Sequence, residues 1–190
     1  MDATLEAVIA SPKYTLEEFY ALPDDDNQYE LIDGELFEMA KPGPNRQHGD
    51  IIAAFSQYLR NFVIPAKLGK VYAGAACIPD PTKDDYVIPD VAFVAKERLV
   101  GQDEDGPLMV APDLVVEVNS PSDRVEGISK KIKAYRRDGV KLIWSVYPLD
   151  EFVLVYTGES KQVAILNLQD ELDGGSVLPG FKLKVSALFE

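Results

Sequence analysis

The chain reads as an α+β (α/β) protein, a mixed β-sheet flanked by helices. Three observations predict this. Apolar residues recur at helical spacing over 47–63 and again over 124–139. Short apolar runs with strand-like alternation lie before and between those helices. After the second helix three such runs follow in quick succession. The order is helix, strands, helix, strands. A length of 190 residues is enough for one substantial core, so residues 1–190 are read as a single domain, with 1–12 a loose leader.

The elements follow from local chemistry. In "YTLEEFYALP", Thr15 with Glu18 three residues on forms a capping-box pattern for a short helix ending near Pro23. "YELIDGELFEM" places Asp33-Gly34 between two strand-like runs, which signals a hairpin. "KPGPN" is a breaker. From Gln47 to Val63, residues Ile52, Phe55, Leu59 and Phe62 make one apolar stripe, and Pro65 ends it. "KVYAGAACIP", "YVIPDVAFVA" and "DLVVEV" read as strands, separated by the loops "DPTKDD" and "GQDEDGP". "SPSD" is turn-like, with Ser122 or Asp123 able to cap the next helix. That helix carries Ile128, Ile132 and Tyr135 on one stripe and ends at Gly139, a C-cap. "VKLIWSVYP", "EFVLVYTG" and "QVAILNLQ" are three strands with turns at 148–151 and 158–161, and "LPGFKLKVSALF" gives one more short strand or turn.

Composition narrows the function. At 46% hydrophobic and 27% charged residues the chain is an ordinary globular one. No apolar run is long enough to cross a membrane, and the N-terminus is a poor signal peptide. The single cysteine, Cys77, has no internal disulfide partner; it reads as a small core residue and suits a reducing, cytoplasmic setting. A formal net charge of −13 disfavours indiscriminate binding to nucleic acid. Yet from Arg124 to Lys141 seven basic residues stand against two acids. That run is either a solvated helix face or a surface that holds phosphates, with Lys130, Lys133 and Arg137 the candidate contacts.

The stretch "DLVVEVNSPSD" poses the chemical question, because Glu117 interrupts an apolar strand. An unpaired carboxylate in such a place costs several kcal/mol, about 5 or more. Alternation puts Val115, Glu117 and Asn119 on one face of that strand, and Asp90, Ala92 and Val94 on one face of another. If the strands are neighbours, Asp90 and Glu117 project to one side and repel unless a cation joins them. Mg²⁺ suits, since it takes hard oxygen ligands and needs only one or two protein carboxylates plus waters. The alternative is two strand-end acids in solvent or in salt bridges. Lys131, on the flank of the following helix's apolar stripe, leans toward the sheet and can face the carboxylates. An Asp, a Glu and a Lys around Mg²⁺ suit phosphodiester hydrolysis.

Together, "YELIDGEL", a downstream histidine, "IPDVAFV", "LVVEVNSPSD" and "KIKAY" followed by "GVKLIWSVYP" resemble the Uma-two family. This is a large bacterial family with a restriction-endonuclease-like, PD-(D/E)XK fold. The resemblance runs from about Tyr14 to the C-terminus. It implies a central mixed sheet and an Mg²⁺- (or Mn²⁺-) dependent nuclease site. Asp90 would be the aspartate after Pro89, and Glu117 the second metal ligand. The general pattern has a lysine two residues after the glutamate, where this chain has Asn119. The family's lysine four residues before a helix tyrosine matches Lys131, which is read as a migrated catalytic lysine. Glu30, in "YELIDG", matches an acid that completes the metal shell in such folds; its other reading is a hairpin surface acid. His48 falls four residues before Ile52 and so faces inward. It is either a hydrogen-bonded core or rim residue, or it touches the metal-bound water or a phosphate. Tyr135 is expected to pack beside Lys131, and Trp144 to serve the core.

The leading expectation is a metal-dependent endonuclease acting on DNA. A catalytically silent binding or assembly domain on the same fold is the alternative, favoured by the net charge and by Asn119. A hydrolase of small phosphorylated molecules is a third. Paired scission of a duplex would favour a homodimer, and residues 151–170 offer a sheet edge for pairing.

Overall fold

The computed structural model of the protein describes residues 12–39, 46–103, 105–120, 123, 125–158, 160 and 162–190. Almost all of the expected leader, the breaker at 41–45 and the capping Ser122 lie outside the described residues, as does Arg124 of the basic run. Helix α1 (Leu16–Tyr20) opens with the expected capping box. The Glu18 N–H donates to the Thr15 hydroxyl, and the Thr15 N–H donates to the Glu18 carboxylate at 2.8 Å. Strands β1 (Tyr29–Ile32) and β2 (Glu35–Glu38) form the expected hairpin. Its turn residues Asp33 and Gly34 have φ of 52° and 77°, the left-handed pair that a two-residue hairpin turn requires.

Helix α2 (Arg46–Val63) buries Ile51, Phe55, Leu59 and Val63. The expected stripe is thus rotated. Residues at four-residue steps line the buried seam, while Ile52 and Phe62 flank it half-buried. Strand β3 (Gly69–Ala73) is shorter than expected, because Gly74 takes a left-handed φ of 61° and turns the chain. Strand β4 (Val91–Ala95) begins only after Pro89, which has no N–H for a ladder. The segment before it bridges instead to the hairpin, Tyr86 with Leu31, and to Cys77 through Val87. Strand β5 (Leu114–Val118) leads through helix α3 (Val125–Arg137) to β6 (Leu142–Tyr147), then β7 (Phe152–Thr157) and β8 (Val163–Leu166). Gly139, at φ 91°, ends α3 as expected. The C-terminal stretch gives the expected short strand, and its pairing partner lies upstream. Strands β9 (Glu171–Asp173) and β10 (Lys182–Lys184) pair as a separate antiparallel ribbon, followed by a short 3₁₀ turn at Val185–Leu188.

The main sheet has six strands in the order β3-β4-β5-β6-β7-β8. Only β5 and β6 run parallel, joined by α3; the other neighbours are antiparallel. Alternation sorts the side chains. Leu114, Val116, Val118, Leu142, Trp144 and Val146 face α2 and the C-terminal segment, where Trp144 packs on Phe55 and Phe181. Val94, Val115 and Ile143 face Ile132 and Tyr135 of α3. Cys77 is buried on that second side, and burial pushes its thiol up to about 12, which makes it inert. Among the described residues no helix is long and apolar enough to cross a membrane.

Gly69 is where the chain tolerates least. A Cβ there would lie 2.1 Å from the Val94 carbonyl oxygen and 2.9 Å from the Phe93 ring. Gly69→Ala is expected to lower the unfolding free energy by about 2–3 kcal/mol in urea titration, since overpacked backbone must shift.

Candidate active site

Sheet register builds the site. Val91 stands opposite Val116 and Ala92 opposite Val115, so one further step sets Asp90 against Glu117 on the α3 face. Asp90 is fixed by the Val118 N–H, which donates to its Oδ2 at 2.7 Å. His48 reaches the same oxygen from the first turn of α2, at 3.7 Å through Nε2. It lies three residues before Ile51 on the buried seam, so it does point inward, though along a different row from the one expected. Its interaction with Asp90 raises the imidazole pKa, against the lowering caused by burial.

Glu117 is met by a positive charge. Its Oε2 lies 3.0 Å from Lys131 Nζ, and its Oε1 accepts a 2.7 Å hydrogen bond from the Tyr135 hydroxyl. Lys131 and Tyr135 are four residues apart on α3, so one helix face delivers both. The Lys131 ammonium also lies 2.8 Å from Glu30 Oε1 and donates to the Ile88 carbonyl at 3.2 Å. Three acceptors thus meet its three protons. Glu30 Oε1 in turn accepts the Ile88 N–H at 2.6 Å, which ties the hairpin to the segment leading into Asp90.

The charges do not balance within the group, for Glu30, Asp90 and Glu117 face one lysine. Burial pushes the Glu117 carboxyl up, Asp90 and Glu30 push it further, and Lys131 and Tyr135 oppose them, leaving it at about 8. Burial alone would lower the Lys131 amine, but the Glu117 and Glu30 carboxylates more than reverse this, so it stays charged.

The structure therefore brings Asp90, Glu117, Lys131, Glu30 and His48 to one end of the sheet. Glu30 is no surface hairpin acid: it is 6% exposed and spends its Oε1 on Lys131 and Ile88. Among the described residues no three His, Cys, Asp or Glu side chains converge closely enough to hold a metal by themselves. Asn119, where the usual lysine would stand, donates to Ser145 Oγ and to the Val146 carbonyl, both at 2.8 Å. It stitches β5 to β6. The Tyr135 hydroxyl bond was not foreseen; the only signal for it is the four-residue spacing from Lys131.

The basic run of α3 is largely spoken for. Lys130 pairs with Glu35 at 2.6 Å and Glu126 at 3.1 Å, and lies over the Phe37 ring. Arg137 pairs with Asp33, Asp85 and Asp138. Lys133 is exposed and makes no ion pair among the described residues.

A family model described as "Uma2: Putative restriction endonuclease" matches residues 16–186. No curated protein matches the chain. A solved structure described as a "putative nuclease belonging to DUF820 from Anabaena variabilis ATCC 29413" has a TM-score of 0.79 and 22% identity, covering 92% of this chain and 97% of that one. At that identity the likeness speaks to the fold, the mixed sheet with flanking helices.

Removing the ammonium leaves two buried carboxylates uncompensated. Lys131→Met is expected to cost about 3–5 kcal/mol of stability near pH 8, read by urea unfolding. Glu117 supplies the pH dependence. The folded state holds its proton up to about 8 against an ordinary 4.5, so its contribution is favourable at low pH and is lost as pH rises through 8. In metal-free buffer, Glu117→Gln should gain melting temperature relative to the parent from pH 5 to pH 9. A constant difference would contradict the buried carboxylate.

Proposed function

The chain belongs to the Uma2 family, and on that premise we propose that it is a divalent-metal-dependent endonuclease that hydrolyses phosphodiester bonds in DNA, with residues 1–190 acting as one restriction-endonuclease-like domain. The observation that carries this reading is the Lys131 ammonium held within 3.0 Å of Glu117 and beside Asp90 at the sheet end. Asp90 and Glu117, two hard oxygen donors, fit a small divalent cation, which needs only one or two protein carboxylates plus waters. Asp90 and Glu117 would hold Mg²⁺ or Mn²⁺, with water and phosphate oxygens completing the shell. Such an ion, once bound, polarises the phosphate and lowers the pKa of a bound water.

The chain's own groups do the rest. Lys131 lends its fixed positive charge to the negative charge growing on the phosphoryl oxygens. Glu30 orients Lys131 rather than binding metal through Oε1, which Lys131 and the Ile88 N–H already occupy. Tyr135 fixes the Glu117 carboxylate through Oε1. His48, beside Asp90 and with a raised pKa, offers a proton to a phosphate oxygen. A single buried cysteine suits a cytoplasmic setting.

The silent-domain alternative keeps one observation in its favour, the pairing of Lys130 and Arg137 with hairpin and loop acids. Calorimetry with Mn²⁺ and cleavage assays on both plasmid and single-stranded DNA decide between the two. The parent should bind the ion and nick DNA, and Asp90→Ala and Glu117→Ala should lose both. Lys131→Gln should keep the ion while cleaving about 100- to 1000-fold more slowly. A parent that binds no metal and nicks nothing would leave only the silent domain.

A further inference from the structure

The sheet register carries the site sideways. Glu117 pairs with Ser145, Ser145 with Leu154, and Leu154 with Ile165. This row stays on the α3 face and reaches the outer strand β8. Exposure grows along it: Glu117 and Ser145 are buried, Leu154 is half-buried and Ile165 is 62% exposed. Helix α3 therefore covers the inner strands and leaves the outer part of this face open. The open part is rich in rings. Tyr147 and Phe152, paired across β6 and β7, stack with centroids 4.6 Å apart and planes 13° apart. Tyr156 lies two residues from Leu154 on the same face. All three aromatics are half-buried, with part of each ring in solvent. At about 4.8 Å per strand, Leu154 stands roughly 10 Å from Glu117. Arg136 borders the strip from α3: it acts electrostatically on Tyr156 and donates to the Ser160 carbonyl.

Building on the nuclease reading above, we propose that this strip is a stacking platform for unpaired bases, so that the substrate is single-stranded or flap nucleic acid rather than an intact duplex. A phosphodiester at Glu117 and Lys131 must continue along the molecule, and the strip lies on the same face of the sheet, starting two strands away at Leu154. What it offers is ring faces and aliphatic surface. Among the described residues it has little phosphate-gripping charge, because Lys130 and Arg137 are engaged by acids, and the chain carries a net charge of −13. In a duplex the base faces are hidden in the stack, whereas an unpaired strand presents them. Arg136 and the exposed Lys133 can each meet a phosphate.

The test is equilibrium binding by fluorescence anisotropy in EDTA, where nothing is cut. A labelled 20-nucleotide oligo(dT) is compared with a duplex of the same length. The single strand is expected to bind at least 10-fold tighter. The log–log salt slope should be shallow, about −1 to −2, as for one or two phosphates released. The Tyr147→Leu/Phe152→Leu double variant, which keeps apolar bulk and removes the ring faces, should bind oligo(dT) about 10- to 100-fold more weakly while melting within a few degrees of the parent. Equal binding of the duplex, or parental affinity in the folded double variant, overturns the proposal. So does a concentration-dependent dimer in light scattering that Ile165→Lys abolishes, since the strip then belongs to a second copy. Metal-dependent nicking of plasmid without single-strand preference would sink this inference and leave the nuclease standing. Single-strand preference without any metal-dependent cleavage would do the reverse.

Discussion

One buried ammonium organises the end of the sheet. Lys131 is shared by Glu117, Glu30 and the Ile88 carbonyl, and each of these belongs to a different part of the chain. Without it, strand β5 could not carry a carboxylate among valines, because the desolvation cost would exceed what neighbouring apolar burial returns. With it, the acids remain in excess, and the group stays electrostatically receptive to a cation. A fully balanced cluster would be a structural ion pair. A cluster left acidic, next to a positive donor that is already oriented, is suited to handling phosphate.

The hairpin has two distinct electrostatic duties. Glu30, on its inner strand, holds the amine in line with Glu117. Asp33 and Glu35, at and just after its turn, pair with Arg137 and Lys130. The same element that completes the site therefore neutralises two of the adjacent helix's cations, Lys130 and Arg137. On the stacking proposal, recognition rests less on Coulomb attraction than on the aromatic strip of the neighbouring strands.

Much of this was legible in the residues because strand parity is strict. Asp90 and Glu117 had to share a face once β4 and β5 were neighbours, and Lys131 had to lean inward from its place beside Ile132 and Tyr135. The hairpin and the first capping box follow from four-residue chemistry and need no tertiary context. Other features were not legible, for physical reasons. The buried seam of α2 follows how the helix lies across the sheet, so Ile51 and Val63 displaced Ile52 and Phe62. Part of the neutralisation of Lys130 and Arg137 comes from Glu126 and Asp138 close by, but the rest comes from Glu35 and Asp33, 95 and 104 residues away, beyond any local pattern. The Tyr135–Glu117 bond depends on the height of α3 above β5, which periodicity does not report. The C-terminal ribbon β9–β10 is too short for its pairing to be read from alternation.

The placement of the amine on a helix rather than a strand has a consequence of its own. A lysine two residues past Glu117 would ride on the same backbone as the carboxylate, and the gap between them would be set by the pleat. Here the gap is set by how deeply α3 beds into the sheet through Ile132, Ala134 and Tyr135, all of them buried. Trimming or enlarging those side chains would move the amine relative to the acid without touching either. The apolar interior beneath the helix thereby becomes a tuning screw for the spacing of amine and acid, and ordinary drift among aliphatic residues can shift the electrostatics of the cluster while every polar group in it stays the same.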